Sequence, residues 1–277
     1  MTLDELTAGL DDLPSLPAVV MELLGSIDQE DADLTLLAKK VALDQALTAK
    51  TLRLANSSTF GLQVKVTTIQ QALTFLGVQA TRNLIMAASI TGCFPSGRCP
   101  AFNDKAFWRL SIATAACARV LARHMHFNPD VAFTAGLLHG IGRLVLVTRY
   151  PEQYDAVLRE RKRLDGDLLE TERAMLGVDH LLAGAALAEH WQFSGTMQQA
   201  IAFYHAPETP GAGFLATIVH VANAVAHALD LAGDADELVP AVSSVAWTAL
   251  GLPEETWLHV FRETELQFEE MTAILMP

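Results

Sequence analysis

Residues 131–147 form an almost continuous apolar segment, broken by Gly136, Gly140 and Gly142 and carrying His139 and Arg143 as its strongly polar side chains. Such a run has to be buried, and periodicity alone leaves strand and buried helix open. Its length and its Ala/Leu content favour helix. Helical spacing recurs along the rest of the chain. Residues 17–24 place Val19, Val20, Leu23 and Leu24 on one side, after a Pro-rich entrance at Pro14 and Pro17. Short apolar-periodic stretches follow at 34–42 and 46–55. Thr67 or Thr68 can cap a helix that carries Ile69, Ala72, Leu73 and Leu76 and ends at Gly77. Further helices are predicted at about 79–89, 105–124, 152–163, 179–191, 195–204, 214–229, 240–250 and 254–273. The alternating stretch Val64-Lys65-Val66 is too short to found a sheet. The predicted fold class is all-α.

The segment 92–104, GCFPSGRCPAFND, concentrates Gly, Pro, Ser and Asn between periodic stretches and marks a boundary. It divides the chain into an N-terminal helical subdomain, 1–97, and a second helical subdomain, 98–277, with acidic C-terminal helices. Hydrophobic residues make up 51% of the 277, enough for a sizeable core. The formal charge is −13, and residues 228–277 hold ten acidic side chains against one basic. That excess reads as a solvated helical face, or as a docking surface for a basic partner. It disfavours general binding to a phosphate backbone, so nucleic acid and membrane are not expected partners. Cys93, Cys99 and Cys117 form no paired framework and no close zinc spacing, which suits a reducing cytoplasm. The stretch 209–229 lacks Asp, Glu, Lys and Arg but contains Pro210, His220, Asn223 and His227, so a soluble protein is expected.

Several segments resemble one known family. LPSLPAVVMELL at 13–24, DQALTAKTLRLANSSTFG at 44–61 and TTIQQALTFLGVQATRNLIMA at 67–87 carry the first part of the likeness. FWRLSIATA at 107–115, AFTAGLLHGIGRLVL at 132–146, GVDHLLAGAALAEHW at 177–191 and AIAFYHAP at 200–207 continue it in unbroken order. Together they resemble the HDOD family, the HD-related output domains of bacterial signalling proteins. The resemblance covers about 13–229 and implies a small N-terminal bundle packed on a core like that of HD phosphohydrolases.

HD phosphohydrolases hold a divalent metal with imidazoles and carboxylates, and the metal turns bound water into a nucleophile. The resemblance maps the first ligand to Leu110, the adjacent His-Asp pair to His139-Gly140 and the last Asp to Asn223. Of those four, His139 alone keeps its ligand. His180 and His205 match metal-binding positions of two-metal relatives, and three histidines with an open fourth position could hold zinc. No carboxylate stands at the matched positions, so neither metal nor cofactor is expected and His139, His180, His205, Asn223 and Arg143 read as a vestigial pocket. Arg143 sits where HD enzymes often place a Lys near the substrate phosphate; it either grips a phosphate or is an ordinary surface arginine. His220 and His227 are seven apart and can share a helical face with Asn223, while His124 and His126 cannot share one.

Two N-terminal features have local readings. Segment 36–55, with Lys39, Lys40, Lys50 and Arg53, has the outline of a helix-turn-helix but lacks a Gly in its connector and belongs to an acidic chain. LANSSTFG at 54–61 reads as a structural corner. The resemblance therefore implies a non-enzymatic, cytoplasmic signalling regulator that binds signalling proteins, with a nucleotide ligand left open. The alternatives are a phosphohydrolase with an altered ligand set and a DNA-binding regulator.

Overall fold

In the computed structural model the described residues are 97–236 and 238–276, together with 1–8, 10, 13, 20–21, 41, 45–56, 65–77, 81, 85–86, 89–90 and 94. The expected helices at 17–24, 34–42 and 79–89, the first part of the helix-turn-helix outline (36–40 and 42–44), and Cys93 therefore lie largely or wholly outside the described residues. Among those described there is no strand.

Helix α1 spans Leu3–Ala8, α2 Gln45–Ala55 and α3 Ile69–Leu76. The capping expected for α3 is present: the Thr68 hydroxyl accepts from the Gln71 amide, and Gly77 closes the helix at φ 80°. Asn56, just past α2, donates to the Leu52 and Val66 carbonyls and accepts the Val66 amide at 2.7 Å. That side chain fastens the chain after the corner to the end of α2; residues 57–64 lie outside the described set.

The long α4, Asp104–His124, is buried along most of its length and has Asn103 as its cap. The apolar run does not form one helix. It forms α5, Pro129–Leu138, and α6, Ile141–Arg149, with a break at His139-Gly140. The glycines explain the packing around the break. A Cβ on Gly136 would lie 2.7 Å from the Ala115 Cα, so α5 rests directly on the backbone of α4. A Cβ on Gly142 would lie 1.9 Å from the His180 carbonyl oxygen. Only a glycine lets α6 come that close to the next helix of the core.

Then follow α7, Pro151–Leu164, α8, Leu168–Leu176, α9, His180–His190, and α10, Gly195–Phe203. The chain ends with α11, Gly213–Ala228, α12, Ser244–Leu250, and α13, Glu254–Leu275. Helix α8 is absent from the sequence reading, and α12 starts four residues later than the expected 240. Helix α4 is central, with α5, α11 and α13 packed around it, while α9 packs on α6 and α10. One apolar core runs through Leu6, Val66, Ile69, Val120, Val145, Leu187 and Ile218, so residues on both sides of position 97 share it. The Tyr150 hydroxyl also donates to the Glu5 carbonyl at 3.2 Å. Residues 129–149 are long and apolar enough to cross a membrane by composition, but nearly all of that stretch is buried inside this protein's own core.

Candidate functional site

The break between α5 and α6 opens onto a pocket of about 290 Å³. Its walls are α4, the α5–α6 turn, Leu158 and Arg161 of α7, the start of α8, the start of α9, the residues after α10, the inner face of α11, and a strap after α11 that includes Asp234 and Leu238–Ala241. His139, Arg143, His180, His205 and Asn223 all line it, as do Leu110 and Gly140.

His139 is buried, and the hydrogen-bond pattern fixes its tautomer. Nδ1 lies 2.6 Å from the Gly136 carbonyl, which can only accept, so Nδ1 carries the proton. The lone pair on Nε2 then accepts from the Asn223 side-chain amide at 3.1 Å. Burial pushes the imidazole down to about 3, so the ring is neutral at ordinary pH. The nitrogen that could ligate a metal is thus engaged by an N–H donor, where a carboxylate would share the cation.

The remaining matched positions offer nothing in compensation. Leu110 is a buried hydrocarbon. A Cβ at Gly140 would stand 3.2 Å from the Phe107 ring, so the ring occupies the space into which a side chain would project. His180 has both nitrogens engaged, Nδ1 with Glu172 at 2.7 Å and Nε2 with the Tyr204 hydroxyl at 3.0 Å. His205 stacks edge-on to His180 with ring centres 5.5 Å apart, and burial pushes it down to about 3. Among the described residues no group of three or more His, Cys, Asp or Glu side chains is placed to hold a metal ion. The donor set does not fit the HD metal.

Glu172 is the residue that sequence reasoning missed. It is fully buried on α8, and it accepts the His180 amide at 2.9 Å, the His180 ring and the Tyr154 hydroxyl at 2.7 Å. Burial works to raise its pKa, but the His180 ring and these donors prevail and hold the carboxyl below its ordinary value. The signal was present in the sequence: Leu169, Glu172 and Leu176 share one helical face, and an acid on an apolar face requires a buried partner.

Arg143 is not an ordinary surface arginine. Its guanidinium lies over the Phe102 and Phe107 rings, 5.3 and 5.7 Å from their centres, and its Nε is buried without a hydrogen-bond partner among the described residues. The expected trio on α11 separates. Asn223 and His227 line the pocket, whereas His220 turns away, with Nδ1 on the Tyr204 carbonyl at 2.8 Å and Nε2 accepting the Ser243 amide at 2.9 Å. His220 therefore ties α11 to the cap of α12.

The model of the HDOD domain matches residues 13–207. The chain belongs to the HDOD family. Among solved structures, this HDOD chain is similar to an HDOD domain protein of unknown function from Geobacter sulfurreducens, at 26% identity and a TM-score of 0.76, covering 95% of this chain and 87% of that one. It is also similar to a Shewanella amazonensis protein provisionally named a phosphohydrolase, at 28% identity and a TM-score of 0.70, covering 95% of this chain and 97% of that one. Among curated proteins, the cyclic di-GMP phosphodiesterase CdgJ of Vibrio cholerae is 28% identical over 171 residues, 58% of this chain. The HDOD chain spans 38% of the length of the curated relatives it matches.

Proposed function

We propose that this HDOD chain is a non-catalytic regulator in bacterial signal transduction, acting in the cytoplasm by binding signalling proteins. The observation that carries the reading is the hydrogen bond from the Asn223 amide to His139 Nε2, which satisfies the one matched ligand that survives. A metal-activated hydrolase needs an open coordination position and charge stabilisation at the phosphoryl oxygens. Here His139 and His180 are hydrogen-bonded to protein groups, Leu110 stands in place of the first ligand, and Gly140 and Asn223 stand in place of the two carboxylates. The loss of a carboxylate at the matched positions Gly140 and Asn223 also supports a role that does not depend on turnover.

The second reading, a phosphohydrolase with an altered ligand set, draws on the cyclic di-GMP phosphodiesterase among the relatives and on His139, His180 and His205 in the pocket. One experiment separates the two. Purified protein is analysed for bound Fe, Mn and Zn, then incubated with cyclic di-GMP and added Mn, beside a His139→Ala variant. The regulator reading expects well under one equivalent of metal and no product above a buffer control. Hydrolysis by the unmodified protein that disappears in His139→Ala overturns it.

A further inference from the structure

A groove of about 370 Å³ adjoins the histidine pocket, and Phe107, Leu110, Arg143, Leu158 and Arg161 line both. Four cations face it: Arg143, and Arg159, Arg161 and Lys162 of α7. Arg159 is paired with Asp155 on its own helix at 2.6 Å. Arg161 and Lys162 instead reach across to the strap. Arg161 donates to the Asp236 carbonyl at 2.7 Å, and Lys162 pairs with the Asp236 carboxylate at 2.5 Å. The acids lining the groove are Asp234 and Asp236, both on that strap.

We propose that this groove binds a phosphorylated small molecule, which takes Arg161 and Lys162 from Asp236 and so releases the strap. The idea rests on the non-catalytic reading of the adjoining pocket, because it treats the ligand as a signal to be bound and not as a substrate. Three observations support it. First, Arg161, Lys162 and Arg143 converge on one concave site in a chain of net charge −13, and two guanidinium forks with an ammonium suit an anion of more than one charge. Second, Arg143 lines the groove with its guanidinium held over the Phe102 and Phe107 rings, so its charge has a fixed place at the inner end of the site.

Third, the strap is held weakly at its middle. Its ends are fixed by the Arg109 Nε donating to the Ala232 carbonyl at 3.0 Å and by the Ser243 amide on His220. Between those anchors, Asp236 is the residue that ties the strap to another element by hydrogen bonds among the described residues. The Lys162 and Asp236 side chains are 65% and 48% exposed, the kind of ion pair that contributes little. Leu238, Val239 and Val242 are exposed, so these apolar side chains in the middle of the strap do not anchor it in the core. Its release repositions these side chains, and ligand occupancy becomes a change of surface that a protein partner can read.

Calorimetric titration of the full chain with ATP, and separately with inorganic pyrophosphate, tests the site, with hydrogen exchange of residues 232–243 as the second readout. Binding is expected to be weakened at least about tenfold in an Arg161→Ala, Lys162→Ala variant, which keeps its fold by circular dichroism because both side chains lie at the surface. Asp236→Asn is expected to tighten binding by about two- to fivefold, since it removes a competitor worth an exposed ion pair. Exchange in the strap should rise on binding. Equal affinity for the two probes assigns recognition to the phosphates, and a preference for ATP adds the nucleoside. Failure of both to bind at millimolar concentration, unchanged binding in the double variant, weaker binding in Asp236→Asn, or unchanged exchange in the strap overturns the proposal. ATP hydrolysis that is lost in His139→Ala would instead overturn the non-catalytic reading and leave the anion seat standing.

Discussion

At the scale of single residues, His139 and Asn223 decide what the pocket can do. The Asn223 amide donates to a neutral imidazole, so Asn223→Asp replaces a donor with a carboxylate facing a lone pair. Two acceptors then meet in a buried space, and the substitution is expected to cost about 1–3 kcal/mol at pH 7. Protonation of the ring restores a donor, so the loss should shrink at pH 5.5. Urea denaturation of both proteins at the two pH values checks this; an equal loss at both would show that Asn223 does not face the His139 lone pair. The identity of the pocket residues was legible in the sequence because an ordered family resemblance placed them. Their hydrogen bonds were not, since the tautomer of His139 depends on the Gly136 carbonyl, which becomes available only where α5 ends. For Glu172 the spacing of α8 marks an acid on an apolar face but not its partners, because His180 and Tyr154 lie on other helices.

At the scale of helices, most elements followed from local chemistry. Thr68 and Gly77 bound α3, and Asn103 and Ser194 cap α4 and α10 by accepting backbone amides. The break at His139-Gly140 was not readable, because the apolar pattern continues through it and the interruption is imposed by packing against α4 and α9. Those crossings rest on two glycines and make a paired prediction. Gly142→Ala puts a methyl group 1.9 Å from the His180 carbonyl, where backbone and not a flexible side chain must yield. It should cost about 3 kcal/mol or more, or prevent folding. Gly195→Ala, at the start of α10 with nothing within 4 Å, should be neutral or stabilise by up to about 1 kcal/mol. Thermal melts of the two variants check the pair, and similar melting temperatures would contradict the close approach of α6 to α9.

At the scale of the whole molecule, buried imidazoles make the fold sensitive to mild acid. Burial depresses His139 and His205 to about 3 and lowers His220. In the unfolded chain each returns to about 6.5, so between roughly pH 6.5 and pH 3 the unfolded state binds more protons than the folded one. Stability therefore rises with pH across that window and is lost as pH falls through it. For His139 alone, moving from pH 7 to pH 5 costs about 2 kcal/mol, a large share of a typical folding free energy. Glu172 works in a lower range: its depressed carboxyl stabilises above about pH 4.5, and that contribution goes as pH falls through its folded value. The loss between pH 7 and pH 5 thus belongs to the histidines. Urea unfolding of the full chain at those two pH values should show it. In His139→Gln the absolute stability falls, but the difference between the two pH values should shrink by about 2 kcal/mol, because one proton-linked group is gone. An unchanged difference in that variant would mean that His139 does not lose its proton affinity on folding, and the neutral, amide-bonded ring at the centre of the site would have to be abandoned.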